Sequence, residues 1–313
     1  MLMDFCNLGN FFSFVPQHLR VGPWSKTALP TIVLLASIIL YYCPMEDQFD
    51  TEVASYPPVY SSYWWYNILA FVFMAGIVSW SISSSTKAIL VVFTILSWNM
   101  NALRHGINAL APFLTDHHAL LKMNHILRFP ALVSATITSL IWNLALFPYL
   151  FVFLMNTRQK KDNFAAWNTK FCLVQYHVCN VFYAVLNTMV TGNRSTPPLF
   201  DEEDLWYGLA YGLACSHFYV LVMDRVGVHL YPIFSPRSKF VAVAWGTGFF
   251  LFYGAFLFWN HVISNHWAVL QFHRLLSSNL IIIGMGCLTH EILTRRKKRN
   301  KINEREIDEG TRN

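Results

Sequence analysis

Runs of mostly apolar residues recur along almost the whole chain, at roughly 28 to 43, 63 to 82, 88 to 114, 126 to 154, 164 to 190, 205 to 226, 240 to 263 and 269 to 291. A helix needs about 20 such residues to cross the hydrocarbon core of a bilayer. Eight runs, separated by short charged breaks, predict an all-α polytopic transmembrane bundle of about eight spans. The 313 residues leave no room for a separate catalytic domain. Composition agrees: 13% of residues are charged and 55% hydrophobic, where soluble domains carry roughly 25% charged residues.

The charges divide by loop. Lys87, then Arg158, Lys160 and Lys161, then Arg237 and Lys239, fall in alternate connections, and the tail after the last run reads "TRRKKRNK" from Thr294. The intervening connections hold Glu46, Asp47, Asp50 and Glu52, then Asp201, Glu202, Glu203 and Asp204. Basic loops stay on the cytosolic side, so both termini are expected there, with residues 1–27 and the basic tail 294–313 flanking a membrane domain over 28–293. The acidic loops, with the sequon at Asn193, would face the lumen or exterior. Arg20, the first positive charge, follows the apolar stretch "FFSFV" instead of preceding it, which argues against a cleaved signal peptide. A multi-pass protein of the endoplasmic reticulum or another endomembrane is expected. The formal charge of +6 is a consequence of orientation and does not imply nucleic acid.

No cofactor or metal is expected. The six cysteines form no CxxC pair, and Asp116–His118 ("DHH") lacks a third ligand at useful spacing. Glycine-rich phosphate loops, HExxH helices and Gly-x-Ser-x-Gly elbows are absent from the sequence. Pro130 and Pro148 predict a kink in the fourth span.

The third run carries unusual polarity. Thr94, Asn101, Arg104, His105 and Asn108 lie at offsets 0, 7, 10, 11 and 14, one stripe of a 3.6-residue helix. Such a stripe faces protein or a water-filled cavity. His177, Asn180 and Asn187 form a second stripe in the fifth run at offsets 0, 3 and 10. Further polar groups stand at Thr136, Ser139 and Asn143, at Ser216, His217 and Asp224, and at His273, Arg274 and Asn279. Amides and hydroxyls commonly join membrane helices by hydrogen bonds, whereas intramembrane ionisable groups point to function. His177 is a natural general base near neutral pH, and a hydroxyl such as that of Thr94 becomes a nucleophile once a base takes its proton. Counted from the estimated helix starts, Thr94 lies roughly 10 Å and His177 roughly 20 Å into the membrane, a stagger that works against their contact.

"FTILSWNMNALRHGI" resembles the second helix of the androgen-induced and androgen-dependent tissue-factor-pathway-inhibitor-regulating membrane proteins, through Thr94, Asn101 with Ala102, and Gly106 with Ile107. "RFPALVSATITSLIW" is similar to that family's next helix through Phe129, Pro130 and Trp142; "VQYHVCNVFYAVLN" is similar to its histidine-bearing helix; "VGVHLYPIF" resembles its Gly-x-x-x-Tyr-Pro turn through Gly227, Tyr231 and Pro232. The four segments keep their order over roughly residues 63–267, leaving the first and eighth runs and the tail outside a six-helix core. The resemblance implies an integral-membrane threonine hydrolase of fatty acid esters of hydroxy fatty acids, with Thr94 as nucleophile and His177 as base. The chain departs from the family in its histidine-bearing helix: a second histidine three residues on and a later acidic residue are missing. Asn180 and Asn187 stand near those places. Asn187 at the acidic position favours His177 as the base; if Asn180 takes the catalytic histidine's place, the dyad is broken.

The expected chemistry is acyl transfer from a lipid ester that enters from the bilayer, with Asn101 or Asn180 orienting the dyad. Asn101 or Arg104 are candidate oxyanion donors, and His105 and Asn187 further candidates for substrate contact. Two other readings use the same stripes: a carrier or channel working through Arg104, His105, His217 and Asp224, and a non-catalytic membrane adaptor in which the stripes only pack helices. Protein partners are not specified by the sequence.

Overall fold

The computed structural model describes residues 17–43, 58–84, 93–114, 118–155, 157–191, 200–224 and 235–264. Outside these residues lie Glu46, Asp47, Asp50, Glu52, Lys87, Asp116, Asn193, the Gly227–Pro232 turn, His273, Arg274, Asn279, the expected span 269–291 and the basic tail.

The described chain is helical, with no strand among the described residues. The principal helices are α1 (Ala28–Tyr42), α2 (Ser62–Ser84), α3 (Phe93–Leu110), α4 (His118–Ile126), α5 (Arg128–Leu140), α6 (Arg158–Asn168), α7 (Asn180–Thr191), α8 (Glu202–His217) and α9 (Val241–Ser264). Among the described residues four stretches are long and apolar enough to cross a membrane: Ser62–Ser83, Ala119–Phe153, Glu202–Met223 and Val241–Val262. α1 is a shorter apolar helix of 15 residues.

The expected third and fifth spans are helices but do not join that set. α3 has 13 of its 18 residues buried, including every member of its polar stripe. It packs against α2, α4, α5 and α7, so its polarity is enclosed by protein. The fifth span, expected over 164–190, is divided. Thr157 caps α6 by accepting from the Lys160 amide at 3.3 Å, and the extended backbone of Lys170 ends that polar segment before a new helix begins at Phe171. From Phe171–Val174 the chain widens into a π-helical turn, Gln175–Cys179, and continues as α7.

The proline kink expected in the fourth span takes a different form. Hydrogen bonding runs through Pro130, where Ala131 N–H donates to Leu127 O at 3.0 Å; near a helix start the missing proline N–H is tolerated. Around Pro148 the helix loosens into π-helical turns at Ile141–Leu146 and Leu150–Leu154.

Apolar packing holds the helices in place. Phe129, Leu132, Val133, Ala184, Leu205, Leu209 and Trp259 form a core between α5, α7, α8 and α9, while Met74, Ile77, Ile95, Trp98 and Tyr176 join α2, α3 and the π turn. Gly208 lets α8 approach α5: a Cβ there would stand 2.6 Å from the Phe129 ring.

Two ion pairs mark the ends of the α8 span. Arg128 donates from Nε to Asp204 at 3.2 Å and also from Nη2, with 5% of its side chain exposed and none of the aspartate's. At the other end Asp224 receives Arg237 and, at 3.3 Å, the Trp24 indole. Twenty residues of helix separate the two carboxylates, about 30 Å at 1.5 Å per residue, which matches the hydrocarbon thickness.

Candidate functional site

The polar stripe of α3 meets α7, α5, α2 and α4 in two clusters. In the first, Asn101 Nδ2 donates to Asn180 Oδ1 at 2.7 Å, and Asn180 Nδ2 donates to Ser97 Oγ at 2.9 Å. Ser134 of α5 donates to Ser97 at 3.0 Å. All four side chains are fully buried.

The second cluster gathers around His105, whose Nδ1 lies 2.8 Å from the acceptor Asn67 Oδ1 and 3.0 Å from Asn187 Nδ2. Arg104 donates to Asn124 Oδ1 at 3.1 Å and to Thr188 Oγ1 at 3.3 Å, while Asn124 Nδ2 donates to Asn108 Oδ1 at 2.7 Å. Arg104 stands ten residues beyond Thr94, about 15 Å along the helix. It is held at the Asn124–Thr188 end and is not placed to stabilise charge at Thr94. Asn187 likewise serves His105 and Asn67.

These bonds fix the register of α3 and α7. Residues 97, 104 and 105 pair with 180, 188 and 187, with sequence separations of 83, 84 and 82. The helices therefore run parallel, and the same separation carries Thr94 to the level of His177. The stagger expected from sequence is absent, because the fifth helix starts at Phe171 and not near 164.

No hydrogen bond joins Thr94 to His177 among the described residues. His177 is turned onto α5's continuation, its imidazole stacked on the Trp142 indole with centroids 4.1 Å apart and planes at 10°. Asn143 Nδ2 donates to the His177 carbonyl at 3.1 Å, and Trp142 Nε1 to Asn168 Oδ1 at 2.7 Å. The π-helical turn at Gln175–Cys179 causes this. It rotates His177 away from the stripe that Asn180 and Asn187 continue, and Asn180, Asn187 and Thr188 are the α7 side chains bonded to α3. Asn101 and Asn180 are bonded to each other, and neither touches His177 through a side-chain hydrogen bond.

At the level of Thr94, polar atoms lack partners. Thr94, 9% exposed, makes no side-chain hydrogen bond among the described residues. His177 Nδ1 is buried and unpartnered, with the Leu173 carbonyl nearby but outside hydrogen-bond geometry. The Thr138 hydroxyl is buried without a partner as well. Thr138 is one turn beyond Ser134, and Thr94 one turn before Ser97, on antiparallel helices joined by the Ser134–Ser97 bond. Buried polar groups are normally satisfied; the networks deeper along α3 leave single atoms unmatched, Asn101 Oδ1 and His105 Nε2, but each of those side chains is held by another hydrogen bond.

The groups invoked for a carrier lie apart. His217 bonds the Leu213 carbonyl at 2.9 Å, and Asp224 is engaged by Arg237 and Trp24 at the opposite end of α8 from Asp204. Among the described residues no three His, Cys, Asp or Glu side chains converge as a metal site would require.

Sequence periodicity identifies both stripes but misses Asn67, Ser97, Asn124, Ser134, Thr138 and Thr188. Ser97 was legible as a further member of the α3 stripe, three residues after Thr94, and Ser134 with Thr138 as an i, i+4 pair. Lone Asn67 and Asn124 give no comparable pattern. No family model, no curated protein and no solved structure matches this chain.

Proposed function

We propose that this chain is a membrane-embedded hydrolase of lipid esters, of the class that cleaves fatty acid esters of hydroxy fatty acids, with Thr94 as nucleophile and His177 as base. The observation that carries this reading is the parallel register of α3 and α7, which brings the two residues to one level, with His177 Nδ1 unpartnered and no side-chain hydrogen bond to Thr94 among the described residues. In apo structures catalytic hydrogen bonds are often open and close only around substrate. Here the reaction requires the imidazole to turn from Trp142 toward Thr94.

His177 accepts the Thr94 proton as Thr94 Oγ attacks the ester carbonyl. The tetrahedral intermediate expels the alcohol, which takes the proton from His177, and leaves an acyl-threonine. Water, deprotonated by His177, then releases the acid and restores the Thr94 hydroxyl. Side chains of the Ser97–Asn101–Asn180–Ser134 cluster hold the walls of the site. An endomembrane location with both termini cytosolic belongs to this proposal, on the distribution of basic loops.

One observation favours a second reading, a non-catalytic membrane adaptor: Asn180, which cannot act as a base, faces α3 where His177 does not. Hydrolysis of a fatty acid ester of a hydroxy fatty acid by purified parent, Thr94→Ala and His177→Ala proteins separates the two. The hydrolase predicts turnover by the parent and its loss in both folded variants. A folded parent without turnover supports the adaptor.

A further inference from the structure

Acyl transfer needs a donor for the oxygen that becomes negative in the tetrahedral intermediate, and in a membrane helix the backbone amides are already committed to intrahelical bonds. A side chain must supply it. Of the polar groups around Thr94, Asn101 and Asn180 are bonded to each other and Asn180 also to Ser97; Ser134 bonds Ser97 and the Ala131 carbonyl. Gln175, whose buried Oε1 also lacks a partner, is two residues from His177, about 160–200° around the helix, and so lies on the side opposite the His177–Trp142 stack. Arg104 belongs to the Asn124–Thr188 cluster.

Thr138 is different. A threonine within a helix ordinarily satisfies its hydroxyl on the carbonyl three or four residues back, as Thr136 does with Leu132 at 2.7 Å and Thr188 with Ala184 at 2.8 Å. Thr138 makes no such bond, although its hydroxyl is buried and the residue is only 5% exposed. Its position on the Ser134–Thr138–Trp142 stripe puts it between the Ser97 contact and the indole carrying His177.

We propose that Thr138 is a further catalytic residue, whose hydroxyl donates a hydrogen bond to the substrate's carbonyl oxygen as it becomes an oxyanion; this rests on the hydrolase reading above. As Thr94 Oγ bonds to the carbonyl carbon, the C=O π pair moves onto oxygen, where the Thr138 O–H meets it. The pair returns when the alcohol departs, so Thr138 keeps its proton throughout. The donor also holds the ester carbonyl against α5, leaving its opposite face to Thr94.

The test compares parent, Thr138→Val and Thr138→Ser proteins in detergent, reading kcat and KM on a fatty acid ester of a hydroxy fatty acid, with thermal melting and the Thr94→Ala variant alongside. Valine keeps the shape and removes the donor; serine keeps the donor. The expected result is a kcat lowered on the order of 10²-fold in Thr138→Val, with KM changed only a few-fold, an unchanged melting temperature, and most of kcat recovered in Thr138→Ser. Parent-like kcat in folded Thr138→Val, or a serine variant as slow as the valine one, overturns the role of Thr138 while leaving a Thr94-dependent hydrolase standing. If Thr138→Val does not fold, Thr138→Ser decides: it must keep near-parental kcat. A folded parent with no Thr94-dependent turnover overturns both this role and the hydrolase reading.

Discussion

Replacing Arg128 by methionine should be among the most damaging single changes in the molecule. Arg128 is 4% exposed and Asp204 0%, so methionine fills much of the arginine's volume but leaves a carboxylate buried without its cation. Breaking a buried pair from one side typically costs about 3–5 kcal/mol. The π face of Phe200, 5.4 Å from the Arg128 guanidinium carbon, loses its cation in the same change and contributes on the order of 0.5–2 kcal/mol. Asp204 also accepts from the Asp201 amide at 3.1 Å in the cap of α8, so Asp204→Asn keeps a cap acceptor while removing the charge. The Arg128→Met/Asp204→Asn double variant should therefore recover most of the stability lost in Arg128→Met. Reversible unfolding in mixed detergent micelles, monitored by far-UV circular dichroism, gives the three free energies. A loss below about 1 kcal/mol in Arg128→Met, or a double variant worse than the sum of the singles, would refute the reasoning from a desolvated charge.

Two interhelical contacts can be tested in the same way. Asn101→Ala and Asn180→Ala should couple by about 0.6–1.7 kcal/mol in a double-mutant cycle, the range of interhelical hydrogen bonds in membrane proteins; additive effects would show that their 2.7 Å bond contributes nothing. Gly208→Ala should lower stability by about 1–3 kcal/mol through overpacking against fully buried Phe129, with Gly76→Ala, where a Cβ meets nothing within 4 Å, as the neutral control in the same unfolding assay.

Much of this arrangement follows from periodicity and length. Asn101, Arg104, His105 and Asn108 recur on one face of α3 and are all buried against other helices, because the cost of exposing such groups to lipid leaves no alternative. Apolar length likewise locates the Ser62–Ser83, Glu202–Met223 and Val241–Val262 stretches. The fifth helix was less legible. Its start is set by the Lys170 break, and its facing residues by the π turn at Gln175–Cys179. An extra residue in one turn rotates the remainder of a helix by about 100°. A 3.6-residue count therefore assigns His177, Asn180 and Asn187 to one face, although only the two asparagines remain bonded to the α3 network. Thr138 escapes sequence reading for another reason: Thr136 and Thr138 look alike until one is seen bonded to Leu132 O and the Trp259 indole, and the other to nothing.

Covalent capture tests the central proposal most directly. Folded parent protein, incubated with a fluorophosphonate hydrolase probe or rapidly quenched during ester turnover, is digested and mapped by mass spectrometry. A Thr94–His177 hydrolase gives one adduct, on Thr94, absent from Thr94→Ala and strongly reduced in His177→Ala. A modified residue elsewhere in the bundle, or a folded Thr94→Ala variant that still hydrolyses the ester, would contradict it.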